Sequence, residues 1–226
     1  MPKIYFIDVT NRDGVQTARI GLSKLQKTVL NWYLSQLGIH QSEFGFPFLG
    51  HERNYILANL ALQRKGAYGS LVLEGWCRAV EADVRGGLTT GVKHLNISIP
   101  TSDQMIVHKF GGRLEREGII REMVEAARAA REGGAETLGV NAEDASRTDM
   151  EFLVEFGQAA REAGADRLRY CDTIGYETPD SIRQRIYQLA SRVGYAIELH
   201  CHNDLGMAVA NSVAGAAGAL DAGVDA

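Results

Sequence analysis

Near the end of the chain, Glu198-Leu199-His200-Cys201-His202-Asn203-Asp204 places two histidines two residues apart. On a strand, residues i and i+2 project from the same face, so His200 and His202 can offer two imidazoles to one ion. A flanking carboxylate such as Glu198 or Asp204 can fix an imidazole's tautomer. A bare His-x-His is also what two histidines with hydrogen bonds of their own would look like. A hard cation wants oxygen donors beside the nitrogens. The candidate is Asp13 in Thr10-Asn11-Arg12-Asp13-Gly14-Val15-Gln16. Arg12 beside it offers a fixed cation to an oxyanion, and Gly14 lets the loop approach a ligand closely. Taken alone, the same segment reads as a polar turn after a strand.

These residues need elements to carry them. Strand-like apolar runs occur at 4–9, 41–46, 70–73, 94–99, 137–141, 167–171 and 196–200, roughly 25–40 residues apart, the length of a βα unit. Helical periodicity lies between them. At 22–37, Leu22, Leu25, Val29, Leu30 and Leu34 form one stripe expected to face the core, and 119–131 and 150–163 repeat the pattern. A last helix is expected over about 205–222. Gly38, Gly133-Gly134 and Gly164 sit where helices should stop. Uninterrupted βα units imply an α/β fold with a parallel sheet, either doubly wound or a (β/α)8 TIM barrel. Polar residues gather at the C-terminal ends of several different strands, at 8–13, 43, 98–102, 141–144, 172–173 and 200–204, which favours the barrel. Seven strands are countable, so a single barrel domain over 1–226, truncated before its eighth strand, is expected.

Composition excludes several classes. The 226 residues suffice for one sizeable core. A net charge of −4 argues against nucleic acid or an anionic membrane as partner. No apolar run approaches the roughly 20 residues of a membrane span, and the start has no signal-peptide layout. Cys77, Cys171 and Cys201 are odd in number and far apart, which suits reduced thiols in a cytoplasm.

The two motifs together, in this order and about 190 residues apart, resemble a family of metal-dependent barrel acyltransferases and lyases that includes the 2-isopropylmalate, homocitrate and citramalate synthases and hydroxymethylglutaryl-CoA lyase. The family's first motif reads Thr-Leu-Arg-Asp-Gly-x-Gln, and this chain has Asn11 in place of Leu. The resemblance implies Asp13, His200 and His202 as ligands of one divalent ion (Mg, Mn or Zn). It implies Arg12 as the residue polarising a 2-oxo group, Gln16 as a substrate contact and Thr173 as the hydroxyl that meets the substrate's C1 carboxylate. Glu143 would help remove a methyl proton from acetyl-CoA. Glu43, in a Glu-x-Gly-x-Pro segment, is either an acid behind Arg12 or a structural ion pair.

The segments Trp76-Cys77-Arg78, Ser98–Lys109 and Ala142–Arg147 look closest to homocitrate synthases of the nitrogen-fixation type, implying acetyl-CoA and 2-oxoglutarate as substrates. Isopropylmalate or citramalate synthesis is the alternative, from 2-oxoisovalerate or pyruvate. Lysine-pathway homocitrate synthases carry an Arg where this chain has Gly139, so another cation must meet a distal carboxylate. Arg78, His108 and Lys109 are candidates, with Ser102 as a further substrate contact. Cys201 should point away from the histidines, and Trp32, Tyr33, Phe46 and Phe48 should serve core or interface. The family carries further catalytic residues after the position matched by Ala226. A homodimer, or a complex with a chain supplying that part, is therefore expected, and the chain alone could be a subunit that does not catalyse.

Overall fold

A computed structural model describes residues 1–226. Seven strands, β1 (Ile7–Asp8), β2 (Gln41–Gly45), β3 (Val72–Arg78), β4 (His94–Pro100), β5 (Thr137–Glu143), β6 (Arg167–Asp172) and β7 (Ala196–Cys201), pair in sequence order, all parallel. The helices are α1 (Lys24–Gln36), α2 (Arg53–Arg64), α3 (Glu81–Leu88), α4 (Asp103–Phe110), α5 (Arg116–Glu132), α6 (Met150–Glu162), α7 (Pro179–Val193) and α8 (Ala208–Asp221). Parallel neighbours joined by helical crossovers give an α/β barrel-like sheet, the TIM-barrel arrangement open by one strand. No helix is long and apolar enough to cross a membrane.

Between sheet and helices lies the apolar core. Leu73, Leu95, Ile97, Leu138, Val140, Leu168 and Ile197 enter it from the strands, and Ile119, Met123, Phe156, Ile182 and Ile186 from the helices. The residues that alternate with them face the lumen. Gly38, Gly134 and Gly164 have positive φ, as helix-ending glycines require.

The strands depart from the expected bounds at two places. β3 begins two residues late and runs to Arg78, five beyond the expected end. β1 keeps only Ile7–Asp8 of the expected 4–9, because it pairs with β2 alone and its other edge faces an open seam. That seam is bridged only at its base. The Ile197 amide donates to the Asp225 carbonyl (3.1 Å), Ala226 N to Lys3 O (2.9 Å) and Tyr5 N to Ala226 O (2.8 Å). Above these contacts a cleft of about 1320 Å³ opens between β1, β7 and α8.

The stripe expected to bury α1 is corrected. Leu25 is 71% exposed and Val29 43%, and Trp32 and Tyr33 are exposed with them. Leu34 is buried as expected and Leu30 packs against the core, but the helix also buries the polar Lys27 and Asn31. Asn31 is the reason. Its Oδ1 accepts from Asn11 (2.9 Å) and Ser42 (2.9 Å), and its Nδ2 donates to Tyr55 (3.2 Å) and Asn59 (3.0 Å). Lys27 reaches Glu52 at 2.7 Å. A polar network centred on Asn31, which makes all four of its bonds, thus sets the rotation of α1 against hydropathy.

Candidate active site at the C-terminal rim

Asp13 leaves β1 at the start of a short 3-10 turn, His200 lies near the end of β7, and His202 follows just past it. The Asp13 Oδ2 lies 2.8 Å from His200 Nε2 and 3.5 Å from His202 Nε2, and the two imidazole nitrogens are 3.2 Å apart. All three donor atoms lie within 4.8 Å of one another. Two nitrogens and one carboxylate oxygen converging at this spacing fit a divalent ion with positions left over for other oxygen ligands. Burial raises the Asp13 carboxyl pKa, but the His200 hydrogen bond, the Arg12 guanidinium and the two imidazoles outweigh it and hold the group well below the usual range. Asp13 is therefore a carboxylate, as a ligand must be.

Arg12 is nearly buried and aimed by three neighbours. Its Nε donates to Glu43 Oε2 (2.6 Å), its Nη1 pairs with Asp13 Oδ1 (3.1 Å), and its guanidinium lies 5.3 Å from the Trp76 ring centre. Glu43 is fully buried, and its other oxygen accepts from Arg169 Nη1 (2.8 Å). Glu43 thus pairs with both Arg12 and Arg169, contacts that an acid behind Arg12 and a structural ion pair would share.

Glu143 ends β5 with both oxygens on Lys109 Nζ (2.9 and 3.0 Å). The next residue, Asp144, takes a left-handed conformation (φ 64°) that turns the chain sharply. Asp144 accepts from Ser102 and Arg147, and its backbone N–H donates to Thr173 Oγ1 (2.9 Å). With a lone pair so engaged, the Thr173 hydroxyl keeps its proton free to donate. Ser102 is fully buried, caps α4 and donates to Asp144. Its hydroxyl is committed to the fold. Gln16 is exposed beside the seam cleft. His108 is exposed at the end of α4, and Arg78 pairs with Asp83 at the rim (2.5 Å), so of the three cations considered only Lys109 touches an expected site residue. Cys201 turns away from the imidazoles toward α8, where burial, partly offset by a hydrogen bond with Ser212, pushes its thiol up to about 11.

Sequence reasoning missed what lies beneath the rim. Arg167 and Arg169 on β6 project into the lumen. Arg169 reaches Glu43 and Glu198 (2.8 and 2.5 Å), while Arg167 reaches Glu198 (2.7 Å) and Glu74. Burial pushes the Glu74 carboxyl up, against the pull of Arg167. Gly139 leaves room for this network, since a Cβ there would meet Asn96 Oδ1 at 2.9 Å and Arg167 Cζ at 3.0 Å. The signal was present, as charged residues at i and i+2 in a strand otherwise buried on both faces.

A barrel-like parallel sheet carrying two histidines and a carboxylate at its C-terminal rim defines a class of metal-site α/β proteins. The chain belongs to the HMGL-like family, whose model matches residues 3–225. It is 58% identical to a citrate (Re)-synthase of Dehalococcoides mccartyi, covering 100% of this chain and 55% of that one. It is 42% identical to 2-isopropylmalate synthase 2 of Caldanaerobacter subterraneus (98% and 56% covered) and 33% identical to homocitrate synthase 1 of a Nostoc species (95% and 55%). The chain spans about half the length of the curated relatives it matches. Its fold matches a hydroxymethylglutaryl-CoA lyase structure from Pseudomonas aeruginosa with a TM-score of 0.77 at 19% identity, covering 100% of this chain and 76% of that one. The synthase family expected from the motifs is shown. The expected nearness to homocitrate synthases is not, because the citrate (Re)-synthase shares far more of the sequence.

Proposed function

We propose that this chain is the metal-binding part of an acyltransferase that condenses acetyl-CoA with a 2-oxo dicarboxylic acid, after which water hydrolyses the thioester and CoA leaves. The observation that carries the reading is the convergence of Asp13, His200 and His202 beside a buried, aimed Arg12. A divalent ion held by those three groups would polarise a 2-oxo group and neutralise the adjacent carboxylate. The residues of the chain supply the rest. Arg12, held by Glu43 and Asp13, presents its remaining N–H groups to the oxygen that gains negative charge. Thr173 donates its free proton to the C1 carboxylate, and Gln16 adds a contact from the turn after Asp13. Glu143, steadied by Lys109, takes part in removing the methyl proton of acetyl-CoA. Ser102 acts through Asp144, and His108 is an outer contact at the rim.

The 58% identity to a citrate (Re)-synthase supports citrate as product, and by carbon count the acceptor is then oxaloacetate. Homocitrate from 2-oxoglutarate has the weaker support of relatives at 33% identity. The open seam supports an active form in which an eighth strand, from the same or another polypeptide, closes the sheet. Such a reaction supports the cytoplasmic setting expected from the sequence.

The test is CoA release by the whole active protein with oxaloacetate, 2-oxoglutarate, 2-oxoisovalerate and pyruvate as acceptors. The expected result is turnover on oxaloacetate above all others. Preference for a monocarboxylic acceptor overturns the substrate assignment. Failure of Arg12→Gln to lower kcat overturns the assigned chemistry.

A further inference from the structure

β1 and β7 carry the two halves of the ion site, yet no strand lies between them and their only backbone bridge is at the base of the seam. At the level of the rim, backbone connection between Asp13 and the histidines runs the long way round, through six strand pairs, the short one being confined to the base. A shorter connection crosses the lumen through side chains. Asp13 Oδ1 pairs with Arg12 Nη1 (3.1 Å), and Arg12 Nε with Glu43 Oε2 (2.6 Å). Glu43 Oε1 pairs with Arg169 Nη1 (2.8 Å), and Arg169 Nη2 with Glu198 Oε1 (2.5 Å). Glu198 stands two residues before His200 on the same face of β7, and His200 returns to Asp13 (2.8 Å). The charges alternate from Asp13 through Arg12, Glu43 and Arg169 to Glu198, and the β7 backbone closes the circuit at His200. Resting on the ion site proposed above, we infer that Arg169 is a positioning residue for that site: by joining Glu43 of β2 to Glu198 of β7 it fixes Asp13 relative to His200 and His202 across the open seam.

Three features support this. Arg169 is wholly buried, so its charge needs both carboxylates as partners. Its planar fork spans two acceptors at once, which an ammonium at one point cannot do. β1 is only two residues long, too short to fix the loop that follows it through backbone pairing alone. Arg167 provides the internal contrast. It is half-buried in the same lumen and bonds Glu198 and Glu74, but it does not touch Glu43 and so lies off the circuit.

The test is Mn²⁺ binding to this chain by titration calorimetry, with Co²⁺ absorption as a second readout of ligand geometry. The unaltered chain should take up one ion. Arg169→Lys, which keeps the charge but cannot span both carboxylates, should weaken Mn²⁺ binding about 10–100-fold, as loss of a partner behind a ligand does, and should shift the Co²⁺ bands. Arg167→Lys should lower thermal stability while leaving Mn²⁺ affinity within about threefold of the unaltered chain, the ligands and their supports being intact. Arg169→Met should weaken binding at least as much as Arg169→Lys, and where it does not fold, the lysine variant carries the test. Unchanged affinity in Arg169→Lys, or equal losses in Arg167→Lys, overturns the circuit while leaving the ion site standing if His200→Ala abolishes binding. No uptake by the unaltered chain overturns both.

Discussion

Leu138 and Gly139 are neighbours on β5, and they meet opposite surroundings. Leu138 enters the apolar layer beneath the helices with Val140 and Ala142. Gly139 faces the lumen, where Asn96 and the Arg167 guanidinium fill the space a side chain would take. The outer layer holds the sheet by non-directional burial, which tolerates small shifts and says nothing about register. The lumen holds it by directional charge-assisted bonds among Glu43, Glu74, Glu198, Arg167 and Arg169, which fix orientation at high desolvation cost. The difference assigns separate tasks to the two faces. One supplies stability, and the other places the rim residues.

The largest expected effect is at the top of the lumen. His200→Ala should abolish stoichiometric uptake of Mn²⁺ and with it CoA release, while the melting temperature of the ion-free protein stays within a few degrees, because the imidazole is half-buried and contributes little packing. Retained binding of one ion per chain would break the division of tasks. Next comes the outer layer. Leu138→Ala should cost about 2–5 kcal/mol in chemical denaturation and leave Mn²⁺ affinity unaltered. A tenfold loss of affinity from that change would show that the apolar layer also sets the site. Gly139→Ala should cost about 1–3 kcal/mol as an overpacked lumen position, while Mn²⁺ affinity stays within about threefold, since the strain falls on Asn96 and on Arg167, which lies off the circuit.

The outer face was legible in the sequence and the lumen only in part. β4, β5, β6 and β7 follow from apolar alternation to within two residues, because their outward side chains enter a continuous core. Asp13, His200 and His202 were legible as a set through their motifs. Their convergence needed the sheet's curl, which local pattern does not encode. The stripe on α1 misled, because hydropathy assigns Leu25 to the inside and cannot register that Asn31 finds four polar partners there. The lumen ion pairs join residues as far apart as Glu43 and Arg169, and only the curl of the sheet brings them within 2.8 Å. Ser102 read as a substrate hydroxyl because sequence position gives the rim but not the direction in which a hydroxyl points.

The smallest expected effect sharpens the comparison most, because it holds the chemistry constant and changes only the surroundings. Arg192 on α7 grips both oxygens of Glu151 on α6, each at 2.6 Å, a tighter fork than Arg169 makes to Glu43. By bond length alone the surface pair should matter more. It lies in water, where both ions are already solvated, where salt screens them, and where ordering two long side chains offsets the gain. Arg192→Ala should therefore leave the melting temperature and the Mn²⁺ affinity unchanged. Arg169→Lys, in the lumen, should shift both, because Glu43, wholly buried, has no water to turn to. Should the surface change destabilise the protein as much as the buried one, distance rather than desolvation would govern these arginine pairs, and the special standing given to the lumen would fail.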